Sequence, residues 1–405
     1  MAKIAVMGCG TVGRGVFDVL AMNAELITKR AGEPVEVKYV LDLREFPGTP
    51  VEKVLTHDFN DILNDPEVSV VVETMGGLKP SYDFTKKCLL AGKNVCTSNK
   101  ELVAEHGVEL CEIAKEKSVN YLFEASCGGG IPIIRTLNTA LTAEEIEEVT
   151  GILNGTTNYI MTSMTEEGKG FDQALSEAQA KGYAELHPEA DVEGWDACRK
   201  IAILSSLAYG KHIPWKSVMT EGITGIDSVD IEYASAIGCR IKLLATSRRD
   251  PEGTWALVAP MMIGDENPLT AVSGVMNAVM VKGNAVGTTM YYGSGAGSLP
   301  TASAVVGDVI DAVKNAHKTV NTLTTAEVLE LMPVDEVVRP FFVRFRGTEE
   351  AAKAVFGEIT SVIRLESCPD EIGFLTPMMA EKDFRKAAEA EGVMKWFRRG
   401  KKEEK

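Results

Sequence analysis

The feature that most constrains the fold is a glycine-rich segment close to the N-terminus. Gly8-Cys9-Gly10-Thr11-Val12-Gly13 has the GxGxxG spacing and lies between a strand-like run, residues 4–6, and apolar positions with helical spacing. In such a strand–loop–helix unit the glycines permit a tight turn, close approach of a pyrophosphate and close helix packing, while the helix start supplies N–H donors. The segment predicts a dinucleotide-binding domain; a glycine turn in an unrelated α/β domain is the alternative.

Short β-branched runs alternate with helical patterns through the first third of the chain. The runs are residues 4–6, 35–42, 68–73, 94–97 and 121–124. This alternation is typical of right-handed βαβ units and a parallel sheet. It predicts an α/β fold with a Rossmann-type doubly wound parallel sheet in residues 1–130.

The pattern changes twice further along the chain. Residues 131–300 hold longer amphipathic segments and then mostly strand-like pieces, which predicts an α+β domain, and the helical run 301–320 would return to the first domain. From residue 335 the order is strand, helix, two strands, helix and strand, which predicts a small βαββαβ domain over 335–405. Its last residues, 398–405, are so rich in charge that we expect them to be frayed.

Composition narrows the choice of partners. The formal net charge is −16, which argues against a nucleic-acid ligand because phosphate backbones are held by clustered Lys and Arg. No apolar run approaches the roughly 18 residues of a membrane span. No leader-like segment precedes the first strand, and the eight cysteines form no CxxC pair. We therefore expect a cytoplasmic protein with reduced thiols that binds neither nucleic acid nor membrane.

Two residues at the end of the second strand-like run indicate opposite cofactors. Asp42 would accept from the ribose 2′-hydroxyl of NAD, whereas Arg44 would pair with the 2′-phosphate of NADP. A solvated Asp and Arg at a strand end is a third interpretation, and the spacing from Gly13 is longer than usual. The sequence therefore predicts NAD(P) without choosing between its two forms.

Two loops follow the next strand-like runs. Thr74-Met75-Gly76 lies where doubly wound sheets bind ligands, although an ordinary glycine turn fits it equally well. Ser98-Asn99-Lys100 leads into a helical pattern, so Lys100 would stand at a helix start, where the helix dipole disfavours a cation. Such a placement suits a proton-transfer role. A solvent-facing lysine beside Glu101 is the alternative.

The segment 182–200 concentrates acidic groups around a predicted helix start. Asp196 and Lys200 are i and i+4 on a helix from about residue 192, so they share one face. A surface ion pair is the plain interpretation. The same helix is otherwise apolar, however, and burying a carboxylate and an ammonium is costly unless they serve a site. We interpret His187, which precedes Pro188, as a loop residue and not as a metal ligand.

Seven blocks of residues, in this order, resemble homoserine dehydrogenase between residues 3 and 320. They are residues 8–13, 73–77, 91–100, 123–132, 151–159, 182–200 and 295–303. The resemblance implies NAD(P)-dependent interconversion of aspartate 4-semialdehyde and L-homoserine, on the branch to threonine, methionine and isoleucine. It also implies a homodimer or homotetramer with 131–300 as the substrate and dimerisation domain. The rivals are another semialdehyde or amino-acid dehydrogenase and a non-catalytic NAD(P) sensor.

The resemblance assigns roles residue by residue. Lys100 and Lys200 would stand at the reacting hydroxyl as catalytic residues. The small-molecule amino-acid substrate would contact Gly155, Thr156, Tyr183, Glu185, Asp191 and Asp196. The cofactor would contact Gly8, Gly10, Thr11, Val12, Gly13, Asp42, Arg44, Thr74, Met75, Gly76, Ser98, Lys100 and Gly297.

The resemblance also implies a monovalent cation, often sodium. Its ligands would be the Glu124 side chain and the carbonyls of Cys127, Gly129 and Ile131. A glycine hinge in which Glu124 caps nearby N–H groups is the alternative.

Two features depart from the family pattern. His187 stands where the family usually has an acidic residue. Residues 335–405 resemble an ACT-type regulatory domain, yet their first loop, 346–350, lacks the proline-glycine-valine-leucine pattern with which such domains bind an amino-acid effector. This second departure weakens the expectation of threonine feedback.

Overall fold

A computed structural model of the chain describes residues 1–316, 318–320 and 325–400. The predicted helix 301–320 and the predicted tail 398–405 therefore lie partly outside the described residues. The chain divides into two compact units, the first made of Met1–Ile146, Ala202–Trp215 and Val281–Leu329, and the second of Glu147–Ile201, Lys216–Met280 and Glu330–Lys405. The three domains expected from the sequence stay a prediction.

The elements are numbered in chain order. The strands are β1 (Ala2–Met7), β2 (Val35–Leu41), β3 (Leu55–Thr56), β4 (Val68–Glu73), β5 (Asn94–Thr97), β6 (Tyr121–Leu122), β7 (Ile146–Ile152), β8 (Lys211–His212), β9 (Met219–Thr220), β10 (Cys239–Asp250), β11 (Gly253–Gly264), β12 (Met276–Gly283), β13 (Gly287–Ser294), β14 (Thr325–Val328), β15 (Val338–Arg339), β16 (Phe341–Arg346), β17 (Thr360–Leu365), β18 (Cys368–Leu375), β19 (Met379–Ala380) and β20 (Val393–Arg399). The helices are α1 (Thr11–Met22), α2 (Ala24–Ala31), α3 (Phe59–Leu63), α4 (Ser81–Leu90), α5 (Lys100–Glu116), α6 (Ile133–Arg135), α7 (Gly155–Glu167), α8 (Phe171–Ala180), α9 (Glu189–Val192), α10 (Trp195–Tyr209), α11 (Ser228–Ala236), α12 (Ser298–Lys314), α13 (Glu349–Phe356) and α14 (Glu381–Ala387).

The first unit contains a six-stranded parallel sheet with the strand order β3-β2-β1-β4-β5-β6. This is the strand order of a doubly wound dinucleotide-binding fold. Its central strands are apolar along their whole length, because helices cover both faces of a parallel sheet. Ile4, Val6, Val70 and Val72 are accordingly fully buried. The predicted fold class is confirmed.

Helix α12 belongs to the first unit and packs on α1. Its buried face, which includes Ala302, Val305 and Val309, joins the same apolar core as Val16 and Val72. The helix ends at Lys314, with Asn315 as its C-cap, so it is shorter than the predicted run to residue 320. The chain thus returns to the first unit after passing through the second unit.

The second unit is built on a mixed sheet in which neighbouring strands follow the order β12-β7-β10-β11-β20-β16-β18-β17. Strands β10 and β11 form a long antiparallel hairpin, paired from Cys239 with Gly264 to Asp250 with Gly253. Its apolar core includes Ile152, Leu244 and Ile263. The strand-rich composition between residues 230 and 292 predicted this sheet, while α11 lies in the same stretch.

The C-terminal part of the second unit has the predicted βαββαβ order, formed by β16, α13, β17, β18, α14 and β20. Its four strands lie in the order β20-β16-β18-β17. Aromatic side chains fill the core beneath them; the Phe341 and Phe384 rings stack with centroids 3.8 Å apart. Whether this part is an ACT-type regulatory domain stays a prediction.

Two local expectations were wrong. Arg398 was expected in a frayed tail, but it lies in β20, is 1% exposed, and pairs with Glu221 and Glu381 at 2.6 Å each. These partners are distant in sequence, so the charge run alone could not reveal them. The helix expected from about residue 192 is also interrupted: α9 ends at Val192 and α10 begins at Trp195, because Gly194 between them has a φ of +84°.

No helix of the described residues is long and apolar enough to span a bilayer. All eight cysteines belong to the described part of the chain, and no disulfide joins any of them there.

Candidate active site

The glycine-rich loop of the first unit has the packing that the sequence predicted. A Cβ on Gly13 would lie 2.1 Å from the Gly8 carbonyl oxygen, so a side chain cannot fit where α1 meets the loop. A Cβ on Gly10 would meet nothing within 4 Å among the described residues. Gly10 is the N-cap of α1, and no described side chain caps the first turn formed by Thr11 and Val12. The loop therefore has open space in front of uncapped helical N–H groups, as an anion requires.

Hydrogen bonds join Thr74 and the start of α12 to this loop. Thr74 Oγ1 donates to the Gly8 carbonyl at 2.7 Å. Ser298 Oγ, which follows Gly297 at the start of α12, donates to the Thr11 carbonyl at 2.7 Å. Three chain segments thus meet around the N-terminus of α1.

A buried carboxylate organises the loop after β4. Glu73 Oε1 accepts from the N–H groups of Met75 at 2.8 Å and Gly76 at 3.4 Å, and Oε2 accepts from Thr97 Oγ1 at 2.6 Å. Burial raises the pKa of Glu73, and these hydrogen bonds oppose the rise. The Ser98 N–H donates to the Glu73 carbonyl at 3.4 Å, so the loops after β4 and β5 are tied together.

Asp42 and Arg44, which indicated opposite cofactors, bind each other at the end of β2. Arg44 Nε and Nη2 donate to the two oxygens of Asp42 at 2.9 Å each. The Cys9 N–H also donates to Asp42, at 2.7 Å. The Arg44 guanidinium consequently holds the pKa of the Asp42 carboxyl well below its usual range. Arg44 also lies over the Phe46 ring, 5.4 Å from its centroid, and Arg14 lies 5.7 Å from the same centroid.

Lys100 is the first residue of α5, as predicted. Asn99 caps this helix, because its Oδ1 accepts from the Leu102 N–H at 3.1 Å. The Asn99 N–H in turn donates to Thr97 Oγ1 at 2.9 Å, which links the lysine helix to the Glu73 carboxylate.

In the second unit, Asp196 and Lys200 form a buried ion pair. Lys200 Nζ lies 2.6 Å from Asp196 Oδ2 and donates to the Leu153 carbonyl at 2.7 Å. Asp196 is 2% exposed and Lys200 8%, so the pair is not a surface salt bridge. Asn154 Nδ2 donates to Asp196 Oδ2 at 2.9 Å and to Asp191 Oδ1 at 2.7 Å, which brings three predicted site residues together.

The remaining predicted substrate residues of this unit lie around the start of α7. Gly155 and Thr156 form its first turn, and Thr156 Oγ1 donates to the Tyr183 carbonyl at 2.6 Å. Tyr183 is partly exposed, and its ring lies 5.1 Å from that of Tyr159. Helix α7 therefore positions the loop that contains Tyr183.

Glu185 and His187 lie on the exposed part of that loop. The Glu185 carbonyl accepts from Gln179 Nε2 at 3.0 Å. His187 Nδ1 lies 4.0 Å from Glu189 Oε1, and both side chains are largely exposed. Glu185 and His187 are thus exposed, whereas Asp196 and Lys200 are buried, and the role of Glu185 stays a prediction.

The Glu124 carboxylate caps nearby N–H groups, as the glycine-hinge alternative to a cation site predicted. Its Oε1 accepts from the Ile134 N–H at 2.9 Å and its Oε2 from the Arg135 N–H at 2.6 Å. The Ile131 carbonyl accepts from the Ile133 N–H at 2.8 Å. Burial raises the pKa of Glu124, which these N–H groups and the Arg135 charge oppose. The cation site with Cys127 and Gly129 stays a prediction.

Comparison with known proteins identifies the family. The homoserine dehydrogenase family model matches residues 132–310, and the model of the homoserine dehydrogenase NAD-binding domain matches residues 8–124. A homoserine dehydrogenase of Pseudomonas aeruginosa is 45% identical over 317 residues, which cover 77% of this chain and 72% of the relative. The chain belongs to the homoserine dehydrogenase family. Another homoserine dehydrogenase, of Neisseria gonorrhoeae, is 38% identical over 90% of this chain and 86% of its own length.

Solved homoserine dehydrogenase structures match the fold of this dehydrogenase. The structure from Thiobacillus denitrificans superposes with a TM-score of 0.90 at 36% identity, covering 98% of both chains. A hyperthermophilic archaeal homoserine dehydrogenase in complex with NADPH matches with a TM-score of 0.64 at 25% identity, over 77% of this chain and 97% of that chain.

Two residues that make several of the hydrogen bonds described above, one in each unit, were not singled out from the sequence. Asn154 and Glu73 lie inside blocks that resemble the family, but no role was assigned to either. An Asn directly before a helix is a common N-cap, so a local signal existed for Asn154. The contacts of Glu73 with Thr97 depend on strand pairing and gave no local signal.

Proposed function

We propose that the dehydrogenase oxidises L-homoserine to L-aspartate 4-semialdehyde and catalyses the reverse reduction, with Lys200 as a proton-transfer residue. The observation that carries this proposal is the buried Asp196–Lys200 pair. Exposed i, i+4 pairs contribute only a few tenths of a kcal/mol, whereas a buried pair costs several kcal/mol per ion in desolvation. A pair 2.6 Å apart at 2% and 8% exposure is therefore better explained by chemistry than by helix stability.

Oxidation of an alcohol removes a hydride from carbon and a proton from oxygen. Bound NAD(P)⁺ supplies the hydride acceptor. On this proposal, the neutral amine of a lysine accepts the hydroxyl proton as the C=O bond forms, and the ammonium returns it in the reverse direction. Lys100, at the N-terminus of α5, is proposed to take part in the same proton transfer. The carboxylates of Asp191 and Glu185 would bind the α-ammonium group of the substrate.

The residues of the first unit fit a dinucleotide. The loop of Gly8 to Gly13 would hold the pyrophosphate, because Gly10 leaves open space before the uncapped first turn of α1. We further propose that NADP(H) is preferred. The Asp42 carboxylate already accepts from Arg44 and from the Cys9 N–H, while the Arg44 side chain is 61% exposed beside Arg14 and Phe46. An exposed guanidinium suits a 2′-phosphate, and the archaeal relative was solved with NADPH.

We propose four further features, which are a cation, an oligomeric state, a location and a regulatory role for the C-terminal part. We propose a monovalent cation on the carbonyls of Cys127, Gly129 and Ile131; a carboxylate oxygen of Glu124 that accepts one N–H keeps a second lone pair for it. We also propose a homodimer or homotetramer located in the cytoplasm. The exposed apolar side chains of Met290 and Tyr292 on β13 support self-association. The βαββαβ part is proposed to be ACT-like and regulatory.

The decisive experiment is oxidation of L-homoserine, followed by the absorbance of NADPH or NADH. We expect turnover by the wild-type protein at alkaline pH and its loss in Lys200→Met, with NADPH binding retained in that variant. Lys353→Met is the matched control, because Lys353 forms an exposed i, i+4 pair with Glu349 on α13. No wild-type turnover with either cofactor would refute the proposed reaction. Full activity of Lys200→Met would remove this lysine from the mechanism.

A further inference from the structure

Asn154 joins the N-terminus of α7 to two carboxylates, and it is only 6% exposed. Its Oδ1 accepts from the N–H of Thr157 at 2.8 Å and from its hydroxyl at 3.0 Å. Its Nδ2 donates to Asp191 Oδ1 at 2.7 Å and to Asp196 Oδ2 at 2.9 Å. A flipped amide would set its oxygen against both carboxylates, so only one orientation satisfies every contact.

Asn154 and the preceding residue together hold the ion pair at both ends. Asp196 Oδ2 accepts from Asn154 Nδ2 and, at 2.6 Å, from Lys200 Nζ. The Leu153 carbonyl accepts from the same Lys200 Nζ at 2.7 Å. Two consecutive residues thereby determine where the carboxylate and the ammonium lie.

We propose that Asn154 is a positioning residue for proton transfer, which acts on Lys200 through Asp196. This inference rests on the proposed function. A neutral amide N–H stabilises an ionised carboxylate without adding charge, and Asn154 Nδ2 holds the carboxylates of Asp191 and Asp196 within 2.7 and 2.9 Å of one atom. It also keeps the Asp196 carboxylate turned toward Lys200. Displacement of a reacting group by about 1 Å can reduce the rate about 100-fold.

Two substitutions separate this role from simple helix capping. Ser at position 154 still caps a helix, but it cannot bridge both carboxylates. We expect Asn154→Ser to lower kcat for homoserine oxidation about 10- to 100-fold, with a small change in thermal midpoint and unchanged affinity for NADPH. Asn154→Asp keeps the shape and adds a third carboxylate beside Asp196. An added negative charge favours the lysine ammonium, so the alkaline rise of kcat should move to higher pH.

The matched control is Asn267→Ser. Asn267 also caps a short helix of the second unit, with Oδ1 accepting from the Leu269 N–H at 2.9 Å. We expect this variant to keep the wild-type kcat and pH profile. The proposal would be overturned by wild-type kcat and an unmoved pH profile in both Asn154 variants. The proposal would equally be overturned if the Asn154 variants lost activity only in proportion to their loss of folded protein or of NADPH binding.

The same measurements keep this inference distinct from the proposed function. Wild-type turnover of L-homoserine tests the reaction itself and does not depend on position 154. If the wild-type protein is active and the Asn154 variants match it, only the positioning role fails. If the wild-type protein is inactive, the reaction fails and the positioning role fails with it.

Discussion

Arg44 donates two hydrogen bonds to the two oxygens of Asp42, each 2.9 Å long. The side chain of Asp42 is 9% exposed and that of Arg44 61%, so the carboxylate is satisfied inside the fold while the guanidinium faces outward. We therefore propose that the two residues do not compete for the ribose, although their residue types indicated opposite cofactors. The Asp42 carboxylate orients the Arg44 side chain, and the Arg44 guanidinium leaves its positive charge exposed at the surface.

We expect Arg44→Gln to weaken the use of NADP. Loss of a hydrogen bond from a charged donor costs about 1.5–3 kcal/mol, so kcat/KM for NADP⁺ should fall about 10- to 100-fold. The value for NAD⁺ should change little or rise, because Asp42 is released for a ribose hydroxyl. Initial rates with both cofactors test this, with Arg30→Gln on α2 as the control. An unchanged ratio of the two kcat/KM values would contradict the proposed role of Arg44.

The sequence predicted those parts of the fold that depend on short-range pattern. Strands β4 and β5 begin and end where the apolar runs do, and α5 begins at Lys100 because Asn99 caps it. The i, i+4 spacing of Asp196 and Lys200 correctly placed both residues on one helix, α10. Local periodicity and capping were enough for these features.

Contacts between distant residues could not be predicted in the same way. Arg398 looks like part of a solvated charge run, yet its partner Glu221 is 177 residues away. The hydrogen bond from the Cys9 N–H to Asp42 depends on where β1 lies beside β2, and the bridge from Asn154 to Asp191 depends on where α9 lies. Each of these contacts follows from tertiary packing, which a single sequence does not display.

Gly13 and Gly10 should respond differently to the same added methyl group. In Gly13→Ala the new Cβ would lie 2.1 Å from the Gly8 carbonyl oxygen, so the loop must shift. We expect a lower thermal midpoint and loss of NADPH binding. Gly10→Ala meets nothing within 4 Å among the described residues, and its φ of −80° is open to alanine. Its thermal midpoint should stay close to the wild-type value.

The informative comparison is cofactor binding by Gly10→Ala. If the pyrophosphate approaches the backbone at Gly10, the added methyl group should raise the Kd for NADPH about tenfold or more, which is about 1.4 kcal/mol. Fluorescence titration of NADPH and thermal unfolding of both variants provide the measurements. Wild-type affinity in the folded Gly10→Ala variant would place the pyrophosphate elsewhere.

Lys242 should make the stability of the second unit depend on pH in the alkaline range. It is 2% exposed, and its Nζ donates to the Val272 carbonyl at 2.6 Å and to Asn158 Oδ1 at 3.0 Å. Burial, and then the nearby charge of Arg240, lower the pKa of Lys242 from 10.5 to about 8, against the attraction of Glu166. Between pH 8 and 10.5 Lys242 keeps its proton in the unfolded chain but has lost it in the folded chain, so the free energy of unfolding rises with pH.

We therefore expect the free energy of unfolding of the wild-type protein, minus that of Lys242→Met, to increase between pH 8 and 10.5. A shift of this size corresponds to on the order of 3 kcal/mol. Urea unfolding at three pH values across the window measures the difference, and Lys87→Met, at an exposed position of α4, is the control whose difference should stay level. A difference that is the same at every pH would show that Lys242 keeps its ordinary titration in the folded protein. Loss of the hydrogen bonds to Val272 and Asn158 offsets this difference by a similar amount at every pH, so only its slope with pH reports the buried charge.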